Sequence, residues 1–305
     1  MDNAVKTDAS PSAVPSRKKR MGWLIIEVLI FLTIMCVVSG ILYLAAGLLS
    51  AILHIDTHDT GLDSRFTLLA ETASAIGCLA GLWIVARVHK RVFPDASPQG
   101  IGLALKGHAR ELWAGIGVAG GLYAIGFLTV LLLGGAKVTD ASVHLPALLQ
   151  TLVFFFTVAV FEEGMCRGFL LGRMIDAGIN KFAALVLSSA VFSALHLANP
   201  GFTALPFINL LLAGILLGSA YIYTRNLWFA IALHWFWNWL QGPVLGFEVS
   251  GNAFGESLLT LDTSAGSALL NGGPFGFEGS LICTVLMLAA IWLIIRYYNR
   301  GMVRD

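Results

Sequence analysis

The chain has 305 residues, of which 57% are hydrophobic and 12% charged, with a mean hydropathy of +0.80 and a formal charge of +1. Soluble domains carry about 25% charged residues, so the composition excludes an ordinary soluble enzyme, and the near-zero net charge gives no sign of a nucleic-acid partner. The apolar runs are continuous and far longer than the roughly 10-residue alternating strands of a membrane barrel, which leaves an all-α polytopic membrane protein.

Residues 1–16 are small and polar, with Pro11 and Pro15, and read as disordered. With Arg17-Lys18-Lys19-Arg20 they form a basic cytoplasmic tail, 1–20, ahead of a single transmembrane domain, 21–305. The apolar run Trp23 to Leu53 is too long for a signal peptide and lacks a small-residue cleavage site, so it is the first membrane helix. An acidic loop, Asp56 to Asp63, leads to a second helix over Phe66 to Val88, which ends in Arg87, His89, Lys90 and Arg91. A polar link with Pro94 and Pro98 precedes a short amphipathic piece, Ile101 to Leu112. The third helix, Trp113 to Leu133, carries Gly115, Gly117, Gly120 and Gly121, which would let neighbouring helices approach. Further helices are expected over Leu145 to Ile175, Phe182 to Leu197, Pro206 to Tyr223, Leu227 to Gln241 and Ser280 to Tyr298, with a long Gly- and Ser-rich loop, Gly242 to Gly279, before the last. This makes eight spans. Basic residues cluster before the first, after the second, between the fourth and fifth, after the sixth and after the eighth, so both termini are expected in the cytoplasm. Cys36, Cys78, Cys166 and Cys283 sit in or beside apolar segments at spacings that match no zinc or redox motif, and read as buried free thiols.

Polar groups inside these helices are the functional candidates. The run Leu148 to Val160 ends in Phe161-Glu162-Glu163-Gly164-Met165-Cys166-Arg167. An ionised side chain deep in a bilayer costs roughly 2.5–3.5 kcal/mol on insertion scales. Glu163 and Arg167 are four apart and can pair on a helix, while Glu162 points about 100° away. One carboxylate therefore reads as structural and its neighbour as free for chemistry; the plainer reading is a charge cluster at the membrane boundary. Glu27 and Glu71 stand singly near helix ends, where boundary or interhelix roles are expected, and His54, His58, His89, His108 and His144 read as solvated. His196 lies in an apolar helix, and His234 shares a helical face with Asn238. Glu162 lies about 15 residues before the turn near Gly178 and His196 about 16–18 after it, so both are roughly 22–26 Å from that turn at 1.5 Å per residue. This places a polar cavity inside the membrane, nearer the cytoplasmic face.

Glu162-Glu163-x-x-x-Arg167, Phe192-x-x-x-His196 and His234-x-x-x-Asn238 stand in this order within a core of about 145–242. The set resembles the CPBP family, the CAAX proteases and bacteriocin-processing enzymes also called the ABI family, whose eukaryotic relatives are the type II CAAX prenyl endopeptidases. The resemblance implies an intramembrane endopeptidase that cuts a peptide or membrane-associated substrate, lipidated or plain, near the cytoplasmic surface. By motif, Glu162 would be the general base, His196 would help hold water, His234 and Asn238 would face the oxyanion, and Glu163, Arg167 and Phe192 would support them. Peptide hydrolysis needs just such a base, a proton donor for the leaving amine and oxyanion donors. No metal is expected, since a His-Glu-x-x-His helix is missing; the alternative is zinc on Glu162, His196 and His234, a His₂Glu set. A transporter or scaffold using the same groups is the competing class, against which the absence of two-halves symmetry speaks. A catalytically idle immunity protein is the third. Short loops point to a bacterial inner membrane, and the substrate is not legible.

Overall fold

A computed structural model of the protein describes residues 16–55, 65–93, 102–253 and 255–301. Its first helix, α1 (Arg17–Ile52), begins within the basic run, because the Ser16 hydroxyl accepts the backbone N–H of Lys19 and caps the first turn. Arg17 to Arg20 are thus helical. Helix α2 (Arg65–Val92) packs along α1, and the buried Glu27 accepts a 2.5 Å hydrogen bond from His89 Nδ1 across the pair. Glu27 therefore has the interhelix role expected of it. His89, expected in solvent, is buried, because two charged or polar groups near the membrane satisfy each other better than either could alone. His58, Asp56, Asp63, Pro94 and Pro98 lie outside the described residues.

No helix forms over residues 102–108. Gly102 and Gly107 both have positive φ, and the segment is held across the chain reversal near Arg225 instead. The carbonyl of Gly102 accepts Leu227 N–H, that of Leu103 accepts Trp228 Nε1–H, and that of Ala104 accepts Asn226 Nδ2–H. Helix α3 follows at Ala109–Leu132. Of the four glycines named from the sequence, Gly115 makes the close approach expected, with a Cβ there falling 2.5 Å from the Phe229 carbonyl oxygen, and the helix's fifth, Gly126, packs as closely on the Phe277 ring. Gly117, Gly120 and Gly121 face open space.

Helix α4 (Leu145–Glu163) continues through a π-helical segment, Gly164–Leu171, into the short α5 (Gly172–Asp176). Asp176 then bonds Arg173 and Arg225, each at 2.6 Å, closing that end of the bundle. Helix α6 (Lys181–Ala194) ends earlier than its apolar run and gives way to turns over 195–201, so His196 lies past the helix end and not within it. Helices α7 (Ala204–Thr224) and α8 (Trp228–Trp239) follow, and α8 passes into a second π segment, Leu240–Val244. The long connection folds. Strands β1 (Lys137–Ala141) and β2 (Leu259–Asp262) pair antiparallel, α9 (Ala268–Asn271) and two 3₁₀ turns follow, and the last helix is α10 (Leu281–Gly301).

Six described helices are long and apolar enough to cross a membrane, at Arg17–Ile52, Arg65–Val92, Ala109–Leu132, Leu145–Asp176, Ala204–Thr224 and Leu281–Arg300. The protein is an all-α polytopic membrane protein. The other two expected spans, α6 and α8, have 14 and 12 residues, short of the ~20 that a span requires. Both lie against the site.

Candidate active site

The π segment positions the acidic pair. A π turn widens the helix and re-aims the side chains around it, and such bulges recur at functional sites. It begins at Gly164, where a Cβ would fall 2.9 Å from Cys78 Sγ on α2, so the close packing of α2 on this turn needs glycine. Glu163, just before it, is 0% exposed and Arg167 within it 1%. Arg167 Nη1 donates to Glu163 Oε1 at 2.7 Å, the pairing expected from the spacing. Its Nη2 donates to the Gly214 carbonyl on α7 at 3.1 Å, and its guanidinium lies 4.5 Å from the centre of the Phe192 ring. The arginine is fully engaged by α4, α6 and α7, which offsets the cost of burying it.

Glu163 has a second partner that the spacing did not show. His234 Nδ1 lies 2.8 Å from Glu163 Oε1. Donating that N–H leaves Nε2 to face the neighbouring carboxylate, with Glu162 Oε2 at 3.9 Å. Glu162 differs from Glu163 in exposure and in engagement: its side chain is 23% exposed against 0%, and its one ion-pair contact is His234 at 3.9 Å, whereas Glu163 Oε1 takes both Arg167 and His234. Phe192 sits between the two histidines, its ring centre 4.9 Å from that of His196 and 6.0 Å from that of His234. His196 Nδ1 bonds the Phe192 carbonyl at 2.8 Å, which fixes the ring just beyond the end of α6.

Glu162, Phe192, His196, His234 and Asn238 all line one cavity of about 460 Å³. Asn238 is 6% exposed and lines this space. Glu163 and Arg167 stand behind the wall. Two further carboxylates line it that sequence reasoning did not assign. Glu71 of α2 shares the cavity with Glu162, a placement that a lone acidic residue in a helix leaves undetermined. Glu278, from the long connection, is 4% exposed and hydrogen-bonded to Trp237 Nε1 at 2.9 Å. Its one sequence signal is an acid in an aromatic, glycine-rich run immediately before an apolar helix. Val249, Ser250 and Asn252 of the same connection complete the wall. The connection 242–279 therefore folds back among the helices and closes one side of the cavity.

Residues 144–240 match the family described as Type II CAAX prenyl endopeptidase Rce1-like. That segment, under half of the chain, is similar to this CAAX-protease family. No curated protein and no solved structure gives a significant match. The matched CAAX-protease segment contains every motif residue from Glu162 to Asn238 and leaves out α1 to α3, the 242–279 connection and α10. Relation to this family, in a chain with six span-length helices, implies a membrane-embedded peptidase acting on a peptide or protein substrate. Among the described residues, no three His, Cys, Asp or Glu side chains form a set that could hold a metal ion.

Proposed function

We propose that the protein is a CAAX-protease-like intramembrane endopeptidase in which Glu162 activates water. The observation that carries this reading is the division between adjacent carboxylates: Glu163 Oε1 is committed to Arg167 and His234, while Glu162 lines the cavity with His234 at 3.9 Å as its nearest charged partner. Glu162 takes a proton from water as its oxygen attacks the scissile carbonyl carbon. His196, anchored through Nδ1, presents Nε2 to hold that water. The tetrahedral oxyanion is met by Asn238 Nδ2–H and by His234 Nε2–H. Because His234 gives its Nδ1–H to Glu163, the Nε2–H exists in the imidazolium form, which Glu162 and Glu163 flank with negative charge. Glu162 then returns the proton to the leaving amine, and the C–N bond breaks.

Removing one oxyanion donor typically costs about 10²–10³ in turnover. Asn238→Ala is expected to show a loss of that size in kcat with KM within a few-fold, measured on a quenched fluorescent peptide; an unchanged kcat removes Asn238 from the oxyanion role. Cleavage is expected to be independent of added metal. Stoichiometric zinc in the active preparation, together with loss of cleavage in 1,10-phenanthroline that zinc restores, would overturn the metal-free mechanism.

The basic ends support an orientation with both termini in the cytoplasm and 242–279 outside. Lys18 and Ser264 are both exposed. In a cysteine-free background, an impermeant maleimide on intact cells is expected to label Ser264→Cys and not Lys18→Cys. The opposite pattern reverses the orientation.

A further inference from the structure

The long connection contributes more than a wall. Its turn Val249-Ser250-Gly251-Asn252 is closed by Val249 N–H on the Asn252 carbonyl at 2.8 Å and by the return bond at 2.9 Å. Ser250 (φ 48°) and Gly251 (φ 84°) are both left-handed, as a tight two-residue reversal of this kind requires. One carboxylate holds the turn. Glu278 Oε2 accepts Ser250 N–H at 2.9 Å and Ser250 Oγ–H at 2.7 Å, and its Oε1 accepts Trp237 Nε1–H at 2.9 Å. Trp237 is the residue beside Asn238. On the other side, Asn199 Nδ2 donates to the Ser250 carbonyl at 2.9 Å, and Asn199 N–H donates to the His196 carbonyl at 3.0 Å. Glu278 is itself fixed, since its backbone carbonyl accepts Asn209 Nδ2–H of α7 at 2.7 Å.

A continuous hydrogen-bond path therefore runs from His196 through Asn199, Ser250 and Glu278 to Trp237, next to Asn238. The elements it joins, the turn after α6 and the helix α8, carry the two ends of the site. We propose that Glu278 is a positioning residue for the reaction, which sets the spacing between His196 and Asn238 by holding the 249–252 turn between them. A carboxylate is needed because every neighbour of its oxygens is a donor. A glutamine in its place has one oxygen to accept and one NH₂ group that would confront either the indole N–H or the Ser250 donors.

This inference rests on the hydrolase reading, so its test has two arms on the full-length protein in detergent. A misplacement of about 1 Å caused by a mutation away from the chemistry can cost about 10²-fold in rate. Glu278→Gln is expected to lose about 10–100-fold in kcat per folded molecule on a quenched fluorescent peptide, with KM within about twofold. Trp237→Phe added to it removes the opposing indole donor and is expected to recover part of that loss. In the second arm, amide hydrogen exchange in Glu278→Gln is expected to rise together in 195–200 and 246–253 and to stay unchanged in α1. Wild-type kcat per folded molecule with a lowered melting temperature, or faster exchange in 246–253 alone, would overturn the proposal. A folded wild type that cuts no peptide refutes the hydrolase reading, and the exchange arm still decides whether Glu278 couples the two segments.

Discussion

Glu162→Gln is expected to insert and fold as the wild type does and to lose at least about 10²–10⁴-fold in turnover, the usual loss when a general base is removed. The substitution changes little else. Glu162 Oε2 accepts no hydrogen bond, and the nearest cation-capable group, His234 Nε2, is 3.9 Å away. An amide of the same shape therefore breaks no hydrogen bond, and His234, the one charged neighbour it affects, keeps Glu163 as its partner. Melting temperature in detergent beside cleavage per folded molecule separates the two effects. Near-normal turnover in a well-folded Glu162→Gln protein would remove Glu162 from the base role.

Glu163→Gln is expected to fail in the opposite order. Arg167 is 1% exposed, and its 2.7 Å partner is the Glu163 carboxylate. Removing one member of a buried ion pair costs as much as ~3–5 kcal/mol, because the other charge stays buried without compensation. Poor expression or an early melting transition is the expected result. From spacing alone, activity should then follow the amount of folded protein. The 2.8 Å bond from His234 Nδ1 to the same oxygen adds a second loss. With a neutral amide behind it, His234 loses the charge that supports its imidazolium, so turnover per folded molecule falls as well. A Glu163→Gln protein with wild-type melting and no turnover, beside an active Glu162→Gln, would show that the two carboxylates have exchanged roles.

What the sequence made legible follows from how local each interaction is. The Glu163–Arg167 pair was readable because both members lie one turn apart on one helix, and the π segment leaves that contact intact. The grouping of Glu162, His196, His234 and Asn238 was readable because polar residues in apolar helices have few places to go but inward. The π segment itself was not, since it depends on α2 packing against Gly164. Nor was the early end of α6: the apolar run continues to Leu197, but turns take over after Ala194, where Asn199 reaches Ser250 more than fifty positions on. Glu71 and Glu278 were hidden for the same reason. Their meaning lies in contacts across the bundle, and a single acidic residue in a helix or a glycine-rich loop carries no periodic signal. Six of the eight expected spans have the length to cross alone, and α6 and α8 are the two that fall short of it.

The most direct test is mass spectrometry of purified, folded wild-type protein incubated with a panel of prenylated and plain peptides in water enriched in oxygen-18. Internal cleavage is the predicted result, with one heavy oxygen in the new carboxyl terminus and no such product from Glu162→Gln. Every peptide remaining intact with the folded wild type, or the same products appearing with Glu162→Gln, would contradict Glu162-activated hydrolysis.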